Sequence, residues 1–119
     1  MTYTNSQSEN AATTRVPESG LLDEIVRRIV EVAAPDSTIL FGSAARGEWT
    51  PDSDIDLLVV KSDVEHRRML AQKIHLQRYG IDAAIDIVVV TPEDIDYLRG
   101  KVGTVVTHAL NEGREIYAA

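Results

Sequence analysis

Asp54 and Asp56 stand one residue apart at the head of an apolar run that ends at Val60. In an extended chain, residues i and i+2 share a face. Both carboxylates therefore aim into one space, while Ile55 and Leu57 face the other way. Two carboxylates held together repel unless a proton or a cation lies between them. Mg²⁺ suits such ligands, since it takes oxygen donors and usually keeps phosphate and water as further ligands. Upstream, Ile39-Leu40-Phe41 runs into Gly42-Ser43, where a strand gives way to a helical turn. Exposed backbone N–H groups at such a turn can hold a phosphate. An acidic metal site beside a phosphate-holding turn is the outline of a phosphoryl or nucleotidyl transfer centre.

Aspartate also favours turns that begin strands, but that alone does not account for two on one face of an apolar strand. Asp86 is a third candidate, set within Ile85-Asp86-Ile87-Val88-Val89-Val90. A charge buried among Ile and Val is costly unless it is paired or bound to a metal. Asp82 has the same strand parity but lies four residues earlier, about 13 Å along an extended chain. It is expected in solvent at the strand entrance. Arg46 is open between a phosphate contact and a solvated side chain, and Trp49 between a loop anchor and a partner contact. Gly47 lets the chain turn back by tolerating positive φ. His66, His75 and His108 show no ligand spacing to one another and are read as non-catalytic.

The elements that must position these residues follow from periodicity and caps. Leu21, Leu22, Ile25, Val26, Ile29 and Val30 recur at helical spacing between Pro17 and Pro35, with Asp23 and Glu24 suited to the positive helix start. Residues 37–41 and 54–60 are expected strands, the second covered on both faces. Ser62-Asp63-Val64-Glu65 matches a capping box, so a helix is expected from there to about Tyr79, ended by Gly80. Its run of His, Arg and Lys is read as a solvated face. Residues 85–90 form the strongest β signal. Thr91 and Pro92 open a further helix as N-cap and first residue. Gly100 and Gly103 interrupt, Val102 to Leu110 make a last helix closed by Gly113, and residues 114–117 add a short edge strand.

The chain has 119 residues, enough for one domain with a modest core. Residues 1–17 are polar, with almost nothing to bury, and are expected to form a disordered tail; residues 18–119 form the domain. The net charge of -7 repels a nucleic-acid polyanion, so no direct nucleic-acid binding is expected. Without cysteine there are no disulfides or thiolate metal sites. No apolar run approaches the ~20 residues of a membrane span. The N-terminus lacks the apolar core of a signal peptide, and a cytoplasmic location is expected.

Gly42-Ser43-Ala44-Ala45-Arg46-Gly47, then Ser53-Asp54-Ile55-Asp56-Leu57, then Asp86 in an apolar strand, resembles the minimal nucleotidyltransferases of the DNA polymerase beta-like superfamily. The likeness runs over residues 21–117. It implies the α/β nucleotidyltransferase fold, a small mixed β-sheet with helices packed against it. It also implies that Gly42 and Ser43, with Arg46 beside them, hold the triphosphate of ATP. Asp54 and Asp56 would bind Mg²⁺, and Asp86 would complete the site and act on the incoming hydroxyl. Family members of this length lack a second substrate-holding domain, and many are similar to the antitoxin of a toxin–antitoxin pair. There the partner is a helical HEPN-type ribonuclease, and AMP is placed on one of its tyrosines within a hetero-oligomer. Two other readings stay open: a small-molecule nucleotidyltransferase completed by a second chain, and a non-catalytic antitoxin that silences its partner by contact.

Overall fold

A computed structural model describes residues 15–119. Most of the expected tail, residues 1–17, thus lies outside the described residues. Its last three residues are engaged with the domain: Arg15 and Trp49 exchange backbone hydrogen bonds of 2.7 and 2.9 Å, and Pro17 is buried.

The elements run α1 (Ser19–Ala33), β1 (Ser37–Phe41), α2 (Ser43–Arg46), β2 (Ile55–Val60), α3 (Arg67–Leu76), β3 (Ile85–Val90), α4 (Pro92–Leu98), α5 (Val105–Glu112) and β4 (Arg114–Ala118). They form a four-stranded mixed sheet in the order β3-β2-β1-β4. β1 is antiparallel to both neighbours, while β2 and β3 are parallel. A parallel pair needs a crossover, and α3 lies within it.

Side-chain alternation along the strands divides the core in two. Ile55, Leu57, Val59, Ile85, Ile87 and Val89 pack with the buried stripe of α1 (Leu22, Ile25, Ile29, Ala33) and with Ile74 of α3. Leu58, Val60 and Val90 pack instead with Phe41 and with Val106 and Ala109 of α5, flanked by Ile95 and Leu98 of α4. Every residue of β2 except Asp56 is buried, as expected for a strand covered on both faces. By the same alternation, Asp56 and Asp86 belong to the α4–α5 face. Among the described residues, no helix is long and apolar enough to cross a membrane.

Three expected helix boundaries differ. Ser62 does not cap α3; its N–H and hydroxyl both donate to Asp36 at the far end of β1. The backbone turns through Asp63 at φ 62, and the helix starts only at Arg67. It ends at Leu76, and Gly80 serves a later turn. Val102 likewise lies outside α5 and is almost fully exposed. Gly103 turns at φ 83, and Thr104 caps the helix by accepting from the Thr107 N–H. The Thr91 cap holds as expected and is extended by Asp94 into a reciprocal capping box, with Arg67 bound to the same Asp94 carboxylate.

Leu57 is fully buried in the second strand, so Leu57→Ala is expected to cost about 2–5 kcal/mol of stability. Thr91→Ala, which removes only a helix cap, is expected to cost about 1 kcal/mol. Urea denaturation of the two variants beside wild type measures both.

Candidate active site

Strand register assembles the acidic residues. In the parallel β2–β3 pair, Asp56 and Asp86 are direct partners. Direct partners project from the same face, so the third carboxylate stands beside the second. Asp54 lies two residues before Asp56, just outside β2, and is exposed. Asp86 is exposed as well, contrary to the expected burial among Ile and Val. The reason is topological: β3 is an edge strand, and its apolar neighbours Ile85 and Ile87 turn to the opposite face. Asp82 is exposed in the preceding loop, where it was expected.

Gly42 and Ser43 come to the same place through β1. The antiparallel β1–β2 register sets Phe41 opposite Asp56, so the chain leaving Phe41 must pass directly over that carboxylate. Gly42 does so as the N-cap of α2, at φ 71 and ψ -155. A Cβ there would collide with an Asp56 carboxylate oxygen and sit 3.2 Å from its Cγ. Glycine is required both by the backbone conformation and by the close approach. Ser43 opens α2, and Gly47 closes it at φ 78.

Burial and neighbouring charges act together on Asp56. Burial, and then the charges of Asp86 and Asp54, push the Asp56 carboxyl above its ordinary value; Arg46 opposes the shift and Glu112 adds to it. Among the described residues, no three His, Asp or Glu side chains by themselves form a group able to hold a metal. Mg²⁺ takes few carboxylates and fills its shell with phosphate and water. The donor set is all oxygen, as the ion requires.

Arg46 is not free in solvent but paired within the chain. Its guanidinium donates to Glu48 at 2.9 Å and to both oxygens of Glu112 at 3.0 and 3.1 Å. Glu112, the last residue of α5, also accepts from the Gly42 N–H at 3.0 Å. Burial would raise its carboxyl, but the Arg46 and Gly42 hydrogen bonds outweigh burial and hold it below the ordinary range. Glu112 is the site residue that the sequence did not disclose, since its partners lie 66 and 70 positions away. Trp49 resolves as an anchor: it is buried, and its ring N–H donates to the Ser53 carbonyl at 3.0 Å, just before Asp54. His66 and His108 are exposed and His75 is partly covered.

Residues 21–116 match the family model described as "Nucleotidyltransferase domain". Over 86 residues the chain is 35% identical to a Methanocaldococcus jannaschii protein, MJ1305, provisionally named a protein adenylyltransferase; the match covers 65% of this chain and 57% of that protein's length. Among solved structures, a provisionally named nucleotidyltransferase from Sulfolobus solfataricus superposes with a TM-score of 0.57 at 20% identity, covering 83% of this chain and 78% of the other. A toxin–antitoxin crystal structure with AMP-PNP superposes with a TM-score of 0.53 at 21% identity, covering 82% and 73%. The two structural likenesses concern the fold. The family model takes in most of the chain, including Gly42, Ser43 and all three aspartates, and the chain belongs to the nucleotidyltransferase domain family.

Proposed function

We propose that this chain transfers AMP from ATP to a hydroxyl of a partner protein, with Mg²⁺ as cofactor. The observation that carries this reading is the register pairing of Asp56 with Asp86, directly beneath the Gly42 turn. Family membership, the name of the Methanocaldococcus jannaschii relative and the fold shared with a toxin–antitoxin structure support it.

In this reading Gly42 and Ser43 hold the triphosphate. Asp54 and Asp56, with Asp86 beside them, would hold Mg²⁺, which would neutralise charge on the phosphates and polarise them. Asp86, the exposed member, accepts the proton of the incoming hydroxyl. The hydroxyl oxygen bonds to the α-phosphorus, the bond from that phosphorus to the α–β bridging oxygen breaks, and pyrophosphate leaves.

The acceptor follows from exposure. Asp54 and Asp86 both face solvent, whereas a small-molecule site buries most of its ligand. A protein brings its own surface and needs to present only one hydroxyl. The partner proposed is the HEPN-type ribonuclease that the sequence resemblance implies, the hydroxyl that of a tyrosine, and the role that of an antitoxin in a cytoplasmic hetero-oligomer. Residues 1–17 are proposed as an N-terminal tail to the catalytic domain, residues 18–119, with Arg15 and Pro17 resting against that domain.

Wild type with ATP and Mg²⁺ is expected to add adenylyl groups to its cognate partner, seen as mass increments of the intact partner. Asp54→Asn and Asp86→Asn are expected to lower the rate by at least about a hundredfold while remaining folded. Equal silencing of the partner by wild type and Asp54→Asn, with no mass change, would replace transfer by contact.

Ser43→Ala is expected to weaken Mg²⁺·ATP binding by about 1.5–3 kcal/mol, the value of a charge-assisted hydrogen bond. Calorimetry measures it.

Asp56 gives a pH prediction. Its folded-state pKa is raised, so it binds its proton more tightly folded than unfolded. That contribution favours the fold below the ordinary value of 3.8 and is lost as pH rises through the raised value. Without divalent cations, Asp56→Asn is therefore expected to melt higher than wild type near neutral pH, with the gap closing as the solution is acidified. Thermal melts across pH check the sign.

A further inference from the structure

Glu112 is an acidic residue at the site for which the proposed transfer has no use. One of its oxygens accepts from the Gly42 N–H at 3.0 Å, and both accept from Arg46, at 3.0 and 3.1 Å. These donors are the backbone N–H at the head of the turn and the guanidinium at its end. They are what the turn would offer a phosphate, and a carboxylate and a phosphate present similar oxygens to such a pair.

Nothing in α5 itself asks for a negative charge here. Glu112 closes the helix at the end where the backbone dipole is already negative, a place that favours cations. Its position is therefore unfavourable to its own helix. The contacts that hold it are those with Gly42 and Arg46. The side chain is one quarter exposed, so rotation about its own bonds can release it while α5 stays packed through Val106 and Ala109.

We propose that Glu112 is an internal competitor for the triphosphate: its carboxylate fills the phosphate seat of the nucleotide-free chain, and nucleotide binds by displacing it. This rests on the reading of Gly42, Ser43 and Arg46 as that seat. Displacement hands the Gly42 N–H and the Arg46 guanidinium to a phosphate oxygen, and removes one carboxylate from beside Asp56. The device sets a threshold on nucleotide occupancy without altering the groups that carry out transfer. The opposite role would make Glu112 a buttress that holds Gly42 and Arg46 ready for phosphate, and its removal would then weaken binding.

The test is calorimetry of Mg²⁺·ATP and of Mg²⁺ with inorganic triphosphate on wild type, Glu112→Gln, Glu112→Ala and Ser43→Ala. Glu112→Gln keeps the shape and loses the charge, so it carries the test even if Glu112→Ala unfolds. Both Glu112 variants are expected to bind both ligands about tenfold more tightly than wild type, since the charge-assisted contacts to be displaced are weakened in Glu112→Gln and absent in Glu112→Ala. Glu112→Ala is expected to melt lower than wild type without ligand, yet to show the larger upward shift on adding Mg²⁺·ATP. Unchanged or weaker binding by Glu112→Gln overturns the competitor in favour of a passive contact or a buttress. If Ser43→Ala binds inorganic triphosphate as wild type does, the seat itself lies elsewhere and the competitor falls with it.

Discussion

The parallel pairing of β2 with β3 is the constraint on which the site depends. It places Asp56 and Asp86 side by side, although 30 residues separate them and like charges in direct register oppose each other. The apolar residues on either side leave little choice. Leu57, Leu58, Val59 and Val60 are buried on both faces of the sheet. A slip of one residue would turn each of them to the wrong core and send Asp56 into the contacts of α1 and α3. The hydrophobic pattern thus fixes the register, and the register imposes the repulsion. Burial first, and that repulsion second, push the Asp56 carboxyl above its ordinary value. A fold that keeps such a conflict at one end of an otherwise apolar strand has the form of a functional site rather than of a structural ion pair.

The turn above this pair is shaped by the same register. Because Phe41 faces Asp56 across the antiparallel pair, the residue after Phe41 must cross the carboxylate at contact distance, and only a residue without a Cβ can do so. Gly42 and Asp56 are therefore one feature, not two neighbouring ones. Trp49 and Ser53 complete it from the far side of the loop: the ring N–H of Trp49 fixes the Ser53 carbonyl, and with it the start of the Asp54 segment.

How far this was legible in the sequence depends on the range of the interactions. The strand Ile85–Val90 and the Thr91–Pro92 start came through because their signals are local: a β-branched run interrupted only at Asp86, and a cap next to a proline. The Ser62 capping box failed because Asp36, 26 residues away, takes both the Ser62 N–H and its hydroxyl. Periodicity carries no trace of that competitor. The exposure of Asp86 was missed for a related reason: alternation tells which face a residue takes, but not whether its strand lies at the edge of the sheet. Glu112 had no local signal at all. Only the path of the chain brings it to Gly42 and Arg46.

The charges at the site restrict what can bind there. Asp54, Asp56, Asp86, Glu48 and Glu112 surround the turn, and Arg46 is already shared by the last two. A triphosphate adds further negative charge to this set. At the partly buried Asp56 the repulsion is only weakly screened by solvent, and one guanidinium with two carboxylate partners has little attraction left to offer. Backbone N–H groups supply direction but only partial charge. On the proposed reading, nucleotide and divalent cation arrive as one species, since the carboxylates oppose the anion alone and Mg²⁺ takes part of its shell from phosphate. A site of this kind is completed by what it binds. It is assembled by its substrate, which is consistent with an open, exposed edge and with a carboxylate resting on the turn in the meantime.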